Sequence, residues 1–418
     1  MNTSANGDFD VVIVGGGVIG AVMASLLLAR RLSSAGRVAI VADRFSHAAS
    51  PDAEWDLRVF ALSRASQRLL TACGVWDSLP AQRMHAYERM CVWDAGGAPR
   101  GKGSLSFDCA EIGEPNLGFI VEGRALQWHC LQAARAAGAV LIEAPVAAIR
   151  VADADVAIRL GDGRELRSQL LAAADGPQSK AREMLGIQTT GHSYHQDALV
   201  AHVHTARSHE NTAWQRFLAS GPLAFLPLPD GRSSIVWSTT RAEATRLSAL
   251  DAGEFGVALT AAGGEVLGSC DLTTPLASFP LKLQYALQYA LPRAVLLGDA
   301  AHVVHPLAGQ GLNLGLLDCA ALADVLGQAG AGGYFGEHKL LRRYERWRRS
   351  ENLLAAGALD GMERLFSSTN PLTMGVRGAG LNAVGKLPFV KRRLAQRALG
   401  LIGDVPQFLK VDRVWPRK

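Results

Sequence analysis

From Val11 to Ala29 the chain runs 19 positions without a charge, interrupted by Gly15, Gly16 and Gly17. That is the length of a membrane span. Three adjacent glycines disfavour one, however, and no basic stretch or small-residue cleavage site stands ahead of it. The run divides better into a strand over Asp10–Val14, a glycine turn and a helix over Val18–Arg31, followed by a strand over Arg37–Ala42. Leu126, Cys130, Leu131 and Ala134 recur at helical spacing and predict a helix over Glu122–Ala137, leading into a strand over Ala139–Ala144. Alternating strands follow from Val146 to Asp175, with a hairpin turn at Gly161-Asp162-Gly163. Ala198–Thr205 and Ser233–Thr239 read as strands of a second sheet, with a turn at Pro229-Asp230-Gly231. Arg241–Gly263 reads as a helix. A short apolar strand, Arg293–Leu297, ends in Gly298-Asp299, and a long helix begins near Gly311. The remainder is helical, with breaks near Pro371 and Pro388. This alternation predicts an α/β fold: a Rossmann-like nucleotide-binding domain interrupted by a second, mixed β-sheet domain, with a helical C-terminal region.

Composition narrows the class. The 418 residues are 49% hydrophobic and 19% charged, which excludes a disordered or fibrous chain. The six cysteines form no CxxC pair, so a disulfide scaffold and a structural zinc site are not expected, and the pattern points to a reducing cytoplasm. The net charge of +5 is uneven: residues 337–418 carry 17 Lys and Arg against 7 Asp and Glu, leaving the preceding residues mildly acidic. No basic surface interleaved with aromatics is evident, so nucleic acid is not an expected partner.

Two motifs carry the chemistry. Gly15-x-Gly17-x-x-Gly20 follows a strand and opens a helix, and Asp43 ends the next strand, 23 residues beyond Gly20. Gly15 permits the tight turn, Gly17 admits a pyrophosphate and Gly20 lets helix and strand pack closely. Asp43 can accept from a ribose hydroxyl. The second motif is Gly298-Asp299-Ala-Ala-His302, followed by His305-Pro306-Leu-Ala-Gly309-Gln-Gly311-Leu312-Asn313-Leu-Gly315.

With this second motif the chain resembles the FAD-dependent monooxygenases of the para-hydroxybenzoate hydroxylase type. Asp175-Gly176-Pro-Gln-Ser179-Lys-Ala-Arg182 resembles that family's Asp-Gly motif, associated with FAD and nicotinamide binding. The wording from His305 to Leu316 is similar to the ubiquinone-biosynthesis hydroxylases. So are Leu57–Ser66, Val121–Gln127 and Pro222–Trp237, which extends the likeness along nearly the whole chain. Two departures stand out: Gly123 where the family more often has Asn, and Asp43 where Glu is common. The resemblance implies an FAD-binding domain over 1–80, 118–186 and 288–335, a substrate domain over 81–117 and 187–287, and a helical basic region over 336–418. It implies noncovalent FAD held by Gly15, Gly17, Val18, Ile19 and Gly20, Asp43 and Arg44, Arg58 and Arg124. The remaining candidates are Asp175 and Gly176, Gly298 and Asp299, and Gly309, Gly311, Leu312 and Asn313. His305 and Pro306 become candidates for a place beside the flavin ring.

The implied activity is hydroxylation of the aromatic ring of a polyprenylated phenol in ubiquinone biosynthesis. NAD(P)H reduces the flavin as a transient co-substrate, and reduced flavin reacts with O2 to give a flavin hydroperoxide. Two alternatives stand beside it: hydroxylation of a small soluble phenol, and a non-catalytic flavin- or lipid-binding subunit. The implied partners are the prenylated phenol, O2, and a membrane surface or other ubiquinone-biosynthesis proteins, with a homo-oligomer left open. The expected location is the cytoplasm, peripherally at the inner face of the membrane. Some residues have plainer readings. His302 and His305 with His192 and His195 could be drawn as a metal cluster, but no carboxylate or cysteine stands at ligand spacing, so no metal is expected. Tyr194, Trp214 and Trp237 could line a substrate cavity, although core packing is the commoner use of aromatics. In the tail, Leu340, Tyr344, Trp347, Leu354, Ala358, Met362 and Leu365 predict a helix packed on the body. Lys391, Arg392, Arg393 and Arg397 beside Leu387, Phe389, Val390 and Leu394 predict a basic amphipathic segment suited to an anionic lipid surface.

Overall fold

The computed structural model describes residues 8–48, 53–101, 103–305, 309–329, 333–367 and 387–409. Its first sheet is built around the strand Asp8–Val14, which pairs in parallel with Val38–Ala42 on one side and Glu165–Ala173 on the other. Val140–Glu143 extends the sheet beyond Val38–Ala42, and Ala294–Leu296 extends it beyond Glu165–Ala173, both in parallel. The helix Val18–Ala29 lies between this sheet and the helices Gly123–Ala136 and Gln310–Gly327, and it is buried on nearly every side. Burial all round explains why no polar face interrupts Val11–Ala29. The run is a strand, turn and helix inside a packed core.

The second sheet has the order His302–Val303, Ala277–Ala286, Thr189–Thr205, Ser233–Thr240, Gly221–Pro227, Thr212–Leu218, Arg89–Asp94 and Ser104–Asp108. Thr189–Thr205 is longer than the expected Ala198–Thr205 strand. An irregularity between Ser193 and Asp197, where His195 has φ +55°, breaks the alternation that would have announced its first half. The helix expected over Arg241–Gly263 is two helices, Arg241–Ser248 and Ala252–Ala262. Asp251 divides them with a capping box: its carboxylate accepts from Glu254 N at 2.8 Å, and Glu254 accepts from Asp251 N at 3.2 Å.

The outer face of the second sheet packs Trp93, Trp214, Phe225 and Trp237 against Phe255 and Leu259 of those helices. Its inner face turns toward the long helix His338–Ser367, where Phe217 stacks on Phe366 with centroids 4.0 Å apart. A three-stranded sheet, Val59–Leu62, Gly118–Glu122 and Met84–Tyr87, stands separately. The C-terminal helix Pro388–Ala398 starts at Pro388, as a fixed φ favours at the first helical position. Ala395 and Leu399 pack on Ile112 and Leu117, and Lys391 pairs with Glu111 at 2.6 Å. The break expected near Pro371 lies outside the described residues.

Candidate active site

A single cavity of about 1680 Å³ runs from the glycine turn to the C-terminal helix. The turn is shaped for a dinucleotide. A Cβ at Gly20 would stand 2.0 Å from Gly15 O, so only glycine lets the helix start this close to the strand. A Cβ at Gly17 would meet nothing within 4 Å, because that position faces the open cavity at the helix N-terminus. The empty space beside bare backbone, ahead of a helix whose first turn has no side-chain cap, fits a pyrophosphate. Val18, Ile19, Asp43 and Arg44 line the same end, with Asp43 and Arg44 exposed at its rim. Gly20 does not reach the cavity and serves the helix–strand contact instead.

Sequence reasoning missed Gln127, whose Nε2 donates to Gly16 O at 3.0 Å and holds the turn from the helix Gly123–Ala136. Arg124, on the first turn of that helix, lines the cavity and is exposed, as is Arg58. The backbone of Arg58 is fixed from two sides. Its N–H donates to Asp56 at 3.2 Å, and its carbonyl accepts from Gly123 N at 2.8 Å. A Cβ at position 123 would lie 2.7 Å from Arg58 O, so glycine there is a packing requirement of this chain. Glu122, fully buried, accepts from Asp56 N at 3.0 Å and pairs with Arg83 at 3.2 Å, anchoring the segment that carries Arg58.

Asp175 and Gly176 line the cavity, but the Asp175 carboxylate is already engaged. It accepts from Ser179 Oγ at 2.5 Å and Ala181 N at 3.0 Å, bracing the first turn of the short helix Lys180–Met184, whose cap is Ser179. Asp299 is different. Its carboxylate makes no hydrogen bond among the described residues and lines the cavity, and burial pushes it above the usual carboxylate range despite nearby His302 and Arg58. An acceptor left without a donor suits a polyol such as the ribityl chain of FAD. Gly309, Gly311 and Leu312 complete this wall. Asn313 works by bracing it: Oδ1 accepts from Ser63 N at 2.9 Å and Ser66 Oγ at 2.6 Å, while Nδ2 donates to Ala61 O at 2.9 Å.

Behind Asp299 lies a buried ionic network without a forecast. Asp318, in the helix Gln310–Gly327, accepts from His302 Nε2 at 2.5 Å, Gly298 N at 3.1 Å, Arg348 Nε at 2.8 Å and Asn352 Nδ2 at 3.1 Å. Burial alone would raise its carboxyl. The charges and hydrogen bonds of His302 and Arg348 overrule it and hold the group at about 2. An Asp between Leu317 and Cys319 in a largely apolar helix was the available signal. His302 therefore ties the Gly-Asp turn to two helices. His305 is fully buried, with its ring edge-on to Tyr194 at 4.9 Å and Nε2 3.5 Å from Gln196 Oε1. It is not among the residues lining the cavity, where Val303 and Val304 stand, and burial lowers its pKa to about 4. Pro306 lies outside the described residues. Trp214 and Trp237 belong to the core behind the second sheet, and of the three aromatics expected near the cavity Trp214 also lines it, whereas Tyr194 and Trp237 do not.

Beyond the cofactor end the cavity becomes apolar. The inner face of the second sheet forms one wall, and Leu354, Ala358 and Met362 of the long helix form another. Leu394, Ala395 and Leu399 close the far side. Leu354, Met362 and Leu394 line the cavity yet are 56%, 41% and 48% exposed, so they mark its mouth between the two C-terminal helices.

A parallel nucleotide sheet, a dinucleotide cradle and an adjoining apolar chamber under a second sheet define a flavoprotein of the monooxygenase class. Residues 132–353 match the family described as FAD binding domain. The chain is 35% identical over 398 residues to the 3-demethoxyubiquinol 3-hydroxylase of Escherichia coli strain K12, covering 94% of this chain and 98% of that one. It is 36% identical over 407 residues to the ubiquinone hydroxylase UbiL of Rhodospirillum rubrum, covering 97% and 92%. With the human mitochondrial ubiquinone biosynthesis monooxygenase COQ6 it shares 34% over 442 residues, covering 92% and 91%. The crystal structure of p-nitrophenol 4-monooxygenase PnpA from Pseudomonas putida DLL-E4 superposes with a TM-score of 0.73 at 19% identity, over 95% of this chain and 99% of that one, and shows the common fold. The chain belongs to the FAD-dependent monooxygenase family that contains the ubiquinone-biosynthesis hydroxylases.

Proposed function

We propose that this monooxygenase hydroxylates the ring of a polyprenylated phenol in ubiquinone biosynthesis, with NAD(P)H as transient reductant. The observation that carries the reading is the cavity itself: one space links the cofactor cradle to an apolar chamber whose mouth is made of Leu354, Met362 and Leu394. A ring held at the cradle end can pass a long apolar chain out through that mouth, and the relatives named as ubiquinone hydroxylases support the choice of ring.

Bound FAD supplies activation of O2 for transfer of one oxygen atom to the ring. The chain's own residues hold and shield. Gly17 and the helix Val18–Ala29 receive the pyrophosphate, Asp43 and Asp299 accept from ribose and ribityl hydroxyls, and Arg58 and Arg124 offer cationic contacts. His305, neutral at pH 7, packs against Tyr194 behind Val303 and Val304, which line the cavity. The apolar walls exclude water from the reacting centre.

The same mouth suggests a peripheral site of action. No helix among the described residues is long and apolar enough to cross a membrane. Around the mouth, Leu387 is 53% and Phe389 73% exposed, with Arg392 and Arg393 exposed on the same helix. Such a surface fits an anionic bilayer, each basic residue near it contributing about 1 kcal/mol. The test combines two measurements. The purified flavoprotein is given prenyl phenols of increasing chain length and the hydroxylated products are identified. Co-sedimentation with anionic phospholipid vesicles is followed at low and high salt. Turnover confined to short, soluble phenols would overturn the substrate assignment, and salt-independent absence from vesicles would overturn the peripheral placement.

A further inference from the structure

The inner wall of the chamber is apolar but for Ser238 and one amide. Strand register lays it out in rows: Met90, Ala213 and Leu226 in one, Val92, Gln215, Ala224 and Val236 in the next, then Phe217, Pro222 and Ser238. Gln215 sits mid-row, flanked by Val92 on one neighbouring strand and Ala224 on the other. It is 5% exposed, lines the cavity, and its amide makes no hydrogen bond among the described residues. An amide that faces the chamber and has no protein partner among the described residues is left to hydrogen bond with whatever occupies it, so Gln215 favours a ligand with oxygen or nitrogen atoms.

Its position says which part of the ligand. Leu359 of the long helix packs against Phe217 and Phe366 on the wall side, and equally against Val304 and Leu314 of the cofactor motif. Gln215 is two residues from Phe217 on the same face of its strand, so it lies on the part of the wall that Leu359 links to the cofactor motif. The ring belongs at this end, whereas the apolar chain belongs toward Leu354 and Leu394. We propose that Gln215 orients the substrate ring by hydrogen bonding its oxygen substituents, and so decides which ring carbon faces the flavin. An amide both donates and accepts. It can therefore receive a ring hydroxyl as well as donate to a methoxy oxygen, and it fits rings bearing either group.

The inference rests on the reading of the substrate as a phenol, but its test does not need the prenyl chain. Phenol and 2-methoxyphenol are titrated into the FAD-loaded protein, following the flavin absorbance change. Product formed per NAD(P)H consumed is measured with the same compounds and with a prenylated phenol. Because Gln215 has no internal partner, Gln215→Leu is expected to keep wild-type melting temperature, FAD content and phenol-free NAD(P)H oxidation. Its phenol affinity and coupling should fall about 5–10-fold, the loss of one hydrogen bond of about 1 kcal/mol. Gln215→Glu keeps the acceptor and loses the donor. It should retain phenol better than 2-methoxyphenol, reversing any wild-type preference for the methoxy ring. Wild-type affinity and coupling in both variants, or no phenol-dependent flavin signal in the wild type, would overturn the role of Gln215. A Gln215 effect on short phenols beside a wild type inert toward prenylated ones would instead sink the substrate reading and leave Gln215 in place.

Discussion

Two glycines of one motif separate binding from folding. At Gly17 a side chain enters open cavity, so Gly17→Val should fold with near-wild-type melting temperature and purify colourless. At Gly20 even a methyl group meets Gly15 O at 2.0 Å, so Gly20→Val should fail to accumulate as folded protein. Normal flavin content in Gly17→Val would refute the pyrophosphate assignment. Asp299 allows a graded test: Asp299→Ala should weaken FAD by about 1.5–3 kcal/mol, roughly 10–100-fold, since one charged acceptor is lost while the fold keeps its contacts. Fluorescence titration of the flavin measures it. His202 supplies a pH signature at the same scale. Fully buried, with both ring nitrogens unpartnered among the described residues and Trp55 edge-on, it is lowered to about 4 by burial and then by Arg232. The unfolded chain binds its proton near 6.5, so the folded state loses stability as pH falls from about 6.5 toward 4. His202→Leu should flatten that slope in melting curves while changing little above pH 7.

Among elements, the helices Gln310–Gly327 and His338–Ser367 are joined to the Gly-Asp turn through one carboxylate. Removing a single partner leaves an uncompensated buried charge: Arg348→Met should cost about 3–5 kcal/mol. The double variant Asp318→Leu with Arg348→Met should recover part of that loss. Because Asp318 is held near 2, its contribution is present above its unfolded value near 4 and disappears as pH falls from about 4 to 2. Acid titration of wild type against Asp318→Asn reads the difference. A double variant costing the sum of the two single variants would show that Asp318 and Arg348 are not coupled.

For the whole molecule, the C-terminal helix is a wall as well as a surface. Leu394, Ala395 and Leu399 line the chamber, and Ala65 N donates to Leu399 O at 3.2 Å across the gap to the first domain. Ending the chain after Gly385 should therefore leave FAD bound but admit water to the chamber. NAD(P)H oxidation would then continue while long-chain phenols are hydroxylated poorly and hydrogen peroxide accumulates. Peroxide assay against product assay separates these outcomes, and unchanged coupling in the truncated protein would show that the helix takes no part in sealing the chamber.

The linear order of residues determined the nucleotide-binding half well, because its signals are local. A strand, a glycine turn and a helix follow one another within Asp8–Ala29, and glycine spacing states where backbone must stay bare. The Gly-Asp turn and the glycines after His305 are equally local. The tertiary structure decided what depends on distant partners. Asp175 and Asn313 both line the cavity, but only the fold shows their other partners: Asp175 accepts from Ser179 and Ala181, and Asn313 braces Ser63 and Ser66, about 250 positions away. Asp318 and Gln215 carried no motif at all. One became the centre of an ionic network and the other the lone amide of an apolar wall only when strands and helices far apart in the chain were brought together, since burial and pairing are properties of the packed fold.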